Sequence, residues 1–311
     1  SIPQMNDLPS IPFLQPLARL MGHNGSIFAL QQGRDERHLL SAAGDGWVVE
    51  WDLAEPENGR LLARVETQLF ALAYLPEQRL VVAGNMNGGV HWIDLDRPEQ
   101  TRNVAHHRKG VYAVLGHGEY VFTLGGDGLL TRWSAADGRS LESIQLSSKS
   151  LRCIDFSPPR NELAVGSSDH GIYLLDADTL ALKSHLPQAH ENSVFALRYV
   201  PGADLLLSGG RDAHLRVWEL GAQLKSALTL PAHWYTINEI VFHPQAHLFA
   251  TASRDKTIKL WDASSFQLIK VLEPVRDKGH VNSVNTLLWS NYRDMLVSAG
   301  DDRSLIVWGG G

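Results

Sequence analysis

The chain of 311 residues holds a single cysteine, Cys153. One thiol cannot close an internal disulfide, and it excludes a metal site built from several cysteines. Basic residues are also scarce: 28 Lys and Arg face 34 Asp and Glu, a formal charge of −6. Partners of nucleic acid or anionic bilayers are usually basic, so neither is expected here. No apolar run approaches the ~18 residues that span a bilayer. The N-terminus carries Pro3, Pro9, Pro12 and Pro16 and lacks the continuous apolar stretch of a secretory signal. A cytoplasmic location is the expectation. No GxSxG elbow and no GxxxxGK[ST] or GxGxxG phosphate loop occurs, and Asp155, Asp176 and Asp178 lack calcium-loop spacing. Apolar residues make up 44 % and charged residues 20 %, which excludes a disordered chain.

What is present is a repeat. Trp51, Trp92, Trp133, Trp218, Trp261 and Trp308 each end a short β-like run, such as GDGWVVEW or DRSLIVW. Leu175 ends SSDHGIYLL and fills the gap, giving spacings of 41, 41, 42, 43, 43 and 47 residues. Within a unit the chain reads as four strands punctuated by Gly, Asp and Pro, as in SVFALRYV, ADLLLSGG, AHLRVWEL and AQLKSALTL. No convincing long helical period appears. A lone four-stranded sheet cannot bury both faces, whereas seven packed radially can.

Seven units in phase, with Trp-Asp at 51–52 and 261–262, resemble the WD40 family over residues 14–308. The resemblance implies an all-β, seven-bladed propeller with four antiparallel strands per blade. The repeats read as 22–64, 65–105, 106–146, 147–188, 189–231, 232–273 and 279–308, in one propeller domain. The last unit stops after its third strand, while residues 14–21 form an orphan strand before Gly22-His23. That strand is expected to complete the last blade and remove an open edge.

A second periodicity is polar. Five units carry His, Ser or Thr, Asp and Trp: His23, Ser41, Asp45, Trp51; His107, Thr123, Asp127, Trp133; His190, Ser208, Asp212, Trp218; His233, Thr251, Asp255, Trp261; and His280, Ser298, Asp302, Trp308. Val82 and Met86 occupy two of these slots in the second unit, and the fourth keeps only Asp169. Ser, His and Asp suggest a hydrolase triad. An active site occurs once, however, and this set occurs five times. The WD40 resemblance implies instead a hydrogen-bonded brace inside each blade, with the Asp accepting from imidazole and turn backbone.

Other chemical signals are thin. His243 and His247 have i,i+4 spacing, but Pro244 opposes the helix that would align them. No metal or other cofactor is expected. Cys153 reads as a buried small hydrophobe, and His106 as an exposed loop residue. Trp289 is expected to pack against a neighbouring blade, and Trp47 could sit near the rim.

With no catalytic signature, function is expected on a surface, as a non-catalytic scaffold for a protein or peptide. The resemblance implies docking on the face that carries the His loops and Asp turns. Position one residue into each inner strand gives Phe28, Phe70, Tyr112, Arg152, Phe195, Asn238 and Asn285. The position before each turn Asp gives Gly44, Asn85, Gly126, Ser168, Arg211, Arg254 and Asp301, and the sixth His loop adds Trp234 and Tyr235. Aromatic and arginine side chains dominate interface hot spots, and arginine suits carboxylates. The candidate partner surface is therefore Phe28, Phe70, Tyr112, Arg152, Phe195, Arg211, Trp234, Tyr235 and Arg254, facing acidic and apolar groups. The aromatics as channel packing, and Arg211 and Arg254 as solvated turn residues, stand as alternative roles. So do a channel hydrolase and a structural subunit of a larger assembly, as readings of the whole protein.

Overall fold

The computed structural model describes residues 14–310. Pro3, Pro9 and Pro12 lie outside the described residues. Seven four-stranded antiparallel sheets make up the structure. Blade one is typical: inner strand Ile27–Gln32, then His38–Ala43, Trp47–Asp52 and outer strand Arg60–Arg64. The inner strands of blades two to seven begin at Leu69, Val111, Leu151, Val194, Ile237 and Val284. Each second strand is an apolar run buried on both faces, as in Leu39, Leu40, Ala42 and Ala43, because a neighbouring blade covers each side. The outer strands alternate exposed and half-buried residues, as in Lys225–Pro231, because one side meets water.

The ring closes as the orphan strand requires. Gln15–Leu20 pairs antiparallel with Leu305–Gly309, so the outer strand of blade seven comes from the start of the chain. Leu20 is 3 % exposed and packs with Leu39, Trp51, Val297 and Val307, residues of blades one and seven. Arg19 ties the strand further, donating to Ser304 Oγ at 3.0 Å and to the carbonyls of Lys278 and Gly279.

Two local devices shape the disc. The turn between second and third strands needs a left-handed residue. Gly46, Gly88 and Gly128 supply it in blades one to three, and His170, Ala213, Lys256 and Arg303 adopt φ of 62 to 77° in the rest. At Gly128 a Cβ would lie 1.8 Å from the Ser147 carbonyl, so that turn admits no side chain. The second device is a β-bulge one residue into every inner strand, where pairing skips Phe28, Phe70, Tyr112, Arg152, Phe195, Asn238 and Asn285. A bulged residue leaves the ladder and its side chain is re-aimed.

Candidate functional site: the loop face and channel mouth

Antiparallel alternation puts the His loops and the Asp turns on one face of the disc. Five relays stand behind it. In blades one, three, five, six and seven the Trp indole N–H donates to the Ser or Thr hydroxyl at 2.8–3.0 Å. That hydroxyl lies 2.7–2.8 Å from the His Nε2. The His Nδ1 lies 2.8–3.2 Å from the Asp carboxylate. An indole can only donate, which leaves the hydroxyl proton free to go to the Nε2 of a neutral imidazole whose Nδ1–H donates to Asp. In that arrangement the chain runs one way, from Trp through hydroxyl and His to Asp. The Asp also accepts backbone N–H groups from the His loop and the turn, as at Asn24 and Trp47 for Asp45.

The titration behaviour follows. Burial pushes His23, His107, His190 and His233 below the ordinary imidazole value, against the pull of their Asp partners. Burial alone would raise Asp212, but bonds from His190 and the Glu191 and His214 backbone overcome it and bring it to about 2. The same balance brings Asp302 to about 2. All five Ser and Thr hydroxyl residues are 0 % exposed. No substrate can reach them without unfolding the blade, so the sets brace the loops.

Blades two and four depart. Val82 gives the Trp92 indole no acceptor, and its Nε1 is buried without a partner. Asn85 takes over the turn: its Oδ1 accepts the Asn87 and Gly89 N–H groups at 2.9 Å, and its Nδ2 donates to His91 Nε2. Asn85 is 4 % exposed, so it does not stand on the loop face as its repeat position suggests. In blade four Asp169 accepts from Tyr173 Oη, and the Tyr173 ring stacks on His185 at 4.1 Å. His106 likewise departs from the exposed role. It is half-buried, its Nε2 lies 2.8 Å from Thr131 Oγ1, and its ring meets Trp133 edge-on at 4.7 Å.

The seven bulged residues gather around the channel mouth, all half-buried. Phe28 meets Phe70 edge-on at 5.1 Å, and Phe70 stacks on Tyr112 at 5.6 Å. The Arg152 guanidinium lies 3.8 Å from the Tyr112 ring and 4.5 Å from Phe195. Arg211 approaches Phe195 from its turn at 5.8 Å. The other side of the mouth is made of amides. Asn238 donates to the Val284 carbonyl, and Asn285 donates to the Ile27 carbonyl and Asp301. These bonds cross from blade six to seven and from seven to one.

Five of the nine candidate partner residues thus form one continuous stack, and Arg211 joins it. Arg254, Trp234 and Tyr235 stand apart on blade six, Trp234 86 % and Tyr235 61 % exposed. No ion pair forms at Arg152, Arg211 or Arg254 among the described residues, and the Arg152 Nε is buried without a partner. Trp47 lies under Arg64 at 5.0 Å and packs with blade one and seven residues, while Trp289 is buried against His243. His243 accepts the Gln245 and Ala246 N–H groups on Nδ1, so it caps a turn. Cys153 is buried, and its thiol is pushed up to about 12 by that burial. Among the described residues no group of three or more metal-ligating side chains gathers.

A propeller of braced blades with an open mouth defines a class, and the comparisons agree with it. The family model "WD domain, G-beta repeat" matches residues 14–52, 138–176, 182–219, 224–262 and 268–309. The chain belongs to the WD40 family. It is 24 % identical to guanine nucleotide-binding protein subunit beta-5b of Danio rerio, over 93 % of this chain and 74 % of that protein. It is 23 % identical to transducin beta-like protein 3 of Rattus norvegicus, over 94 % of this chain but 33 % of the relative. The WD40 propeller domain of Doa1 superposes with a TM-score of 0.82 at 17 % identity, covering 96 % of this chain and 97 % of that one. Membership of this family supports a protein-interaction scaffold as the general class of function.

Proposed function

We propose that this protein is a non-catalytic scaffold whose loop face docks a partner protein through acidic and apolar groups. The observation that carries this reading is the pair of guanidinium groups, Arg152 and Arg211, that share the Phe195 ring and form no ion pair among the described residues. Two like charges held together without a counter-charge favour an incoming anion, and arginine suits a carboxylate fork. The flanking rings of Tyr112, Phe70 and Phe28, with exposed Trp234 and Tyr235, offer apolar area. The face is also preorganised. Its loops are pinned by Asp relays and its ring side chains by bulges, so little entropy is lost on docking.

The test is affinity capture from source lysate with wild type, Phe195→Ala, and the double variant Arg211→Glu/Arg254→Glu. Folding of each is checked first by its melting transition. Wild type should recover a defined partner, and both variants should lose it. Recovery of the same proteins in equal yield by all three forms overturns the reading.

A further inference from the structure

Blade two lacks the relay imidazole, and a polar pocket of about 620 Å³ opens between its His-side loop, its turn and its outer strand. Val65 lines one side of it, four residues before the inner strand, where the relay blades carry His. Ladder register matches Asn85 with Gly125 of blade three, since each pairs with the first residue of its inner strand. A Cβ on Gly125 would lie 2.3 Å from His107 Nδ1 and 2.1 Å from Asp127 Oδ1. The Asn85 side chain therefore enters the space that imidazole and carboxylate fill in a relay blade. There it meets His91, which comes from the third strand.

The hydrogen bonds fix the state of this pair. Asn85 Oδ1 accepts two backbone N–H groups, so its Nδ2 must donate to His91 Nε2, at 2.9 Å. A ring nitrogen that accepts carries no proton, so neutral His91 keeps its proton on Nδ1. Burial pushes His91 below the ordinary imidazole value, and no carboxylate pulls it back as in the relays. His91 is 6 % exposed and lines the pocket, and nothing among the described residues bonds to its Nδ1. The side-chain nitrogens buried without a partner among the described residues belong to Trp92, Arg132, Arg152, Arg216 and His243, so the His91 Nδ1 is reached from the pocket. An acceptor stands close to this donor. A Cβ on Gly89 would lie 2.5 Å from Asn85 Nδ2 and 2.7 Å from Asn103 Oδ1, so the two amides converge on one point.

We propose that this pocket receives the side-chain carboxamide of a glutamine presented by a partner protein, its oxygen accepting from His91 Nδ1–H and its NH2 donating to Asn103 Oδ1. Other side chains leave a group unmatched. A cation offers His91 no acceptor. A carboxylate would accept from His91, but no Lys or Arg lines the pocket and Glu66 does. An apolar group would strip water from the Nδ1–H and give nothing back. Glutamine is preferred to asparagine because His91 lies deep and the longer stem reaches it. The site does not rest on the docking proposed at the channel mouth, since none of its residues belongs to that stack.

The test follows the Gly89 amide and Asn103 NH2 resonances while a blocked glycine–glutamine–glycine peptide is titrated to millimolar concentration. Saturable shifts are expected, and the same peptide with glutamate or norleucine should bind about tenfold more weakly or worse. His91→Phe, which keeps a ring but removes the donor, should weaken glutamine binding by about tenfold or more. Ala105→Trp fills the pocket from an exposed wall and should abolish binding even where His91→Phe fails to fold. Phe195→Ala, which breaks the channel-mouth stack, should leave peptide binding unchanged, so the two readings fail separately. No saturable shift, equal binding of glutamate or norleucine, binding unaffected by Ala105→Trp or by folded His91→Phe, or binding lost in folded Phe195→Ala overturns the proposal.

Discussion

Blades five and two share one strand plan and differ in how they handle a tryptophan. In blade five the Trp218 indole N–H reaches Ser208, His190 and Asp212 in sequence, and every polar group on the path has a partner. In blade two Val82 removes the first acceptor, and Trp92 keeps a buried N–H with nothing to bond. Blade two still forms, because Val81, Val82, Ala83 and Val90 are 0 % exposed and Asn85 holds its turn. Packing therefore makes a blade, while the relay fixes where its loop sits. The five braced blades supply the loop face, and the ring tolerates two blades that use other means.

The comparison breaks hardest at blade seven, whose relay is complete but whose outer strand comes from the far end of the chain. Deleting residues 1–21 removes the Gln15–Leu20 ladder, the buried Leu20 and the Arg19 contacts to Ser304. The expected outcome in a thermal scan is a fall in Tm of about 10 °C or more, or no cooperative transition. An unchanged Tm would show that the ring does not depend on this closure.

Next comes the swap that makes blade three resemble blade two. Thr123→Val keeps the volume and leaves both the Trp133 N–H and the His107 Nε2 buried without a partner. The expected loss is about 2–4 kcal/mol by urea denaturation. Met86→Ala, at the slot that holds Asp in the braced blades, is exposed and should cost less than about 0.5 kcal/mol.

The relays also predict the pH response. The folded values of His23, His107, His190 and His233 lie below the ordinary imidazole value of 6.5, so the unfolded chain takes up protons first. Their contribution is present above pH 6.5 and is lost as pH falls through the folded values. Asp212 and Asp302 act in the same sense lower down: their contribution is present above 3.8 and is lost as pH falls toward about 2. Urea midpoints should therefore fall from pH 7 to 5 and again from 4 to 2. A flat profile between 7 and 5 would mean that the imidazoles are not held neutral.

Much of this was legible in the sequence because it repeats. Seven phased units announce the propeller, and an orphan strand at 14–21 announces its closure. The ring residues were legible as a position, Phe28 to Asn285, although not as a bulge, since a skipped ladder pair leaves no compositional mark. That blades two and four depart from the relay was legible at Val82, Met86 and Asp169, but what takes its place was not. Tyr173 bracing Asp169, Asn85 bracing its own turn, and the Arg198–Glu239 pair in the bore arise from single residues with no phased copies to flag them. His106 was misread for the same reason: its partner Thr131 lies across the sheet, 25 residues away.

The smallest expected effect is the most instructive. Val82→Thr places a hydroxyl where the orphaned Trp92 N–H needs one, and restoring a hydrogen bond suggests a gain of about 1 kcal/mol. That gain should not appear. In blade three the Thr123 hydroxyl accepts from Trp133 because its own proton goes to His107. Blade two has Val65, not His, at the matching position four residues before its inner strand, so the new hydroxyl satisfies one buried donor and creates another. The net change should stay within about 0.5 kcal/mol by urea denaturation. A clear stabilisation would mean that each bond adds independently; a null result would mean that the relay acts as a unit, in which a hydroxyl is useful only with an imidazole behind it.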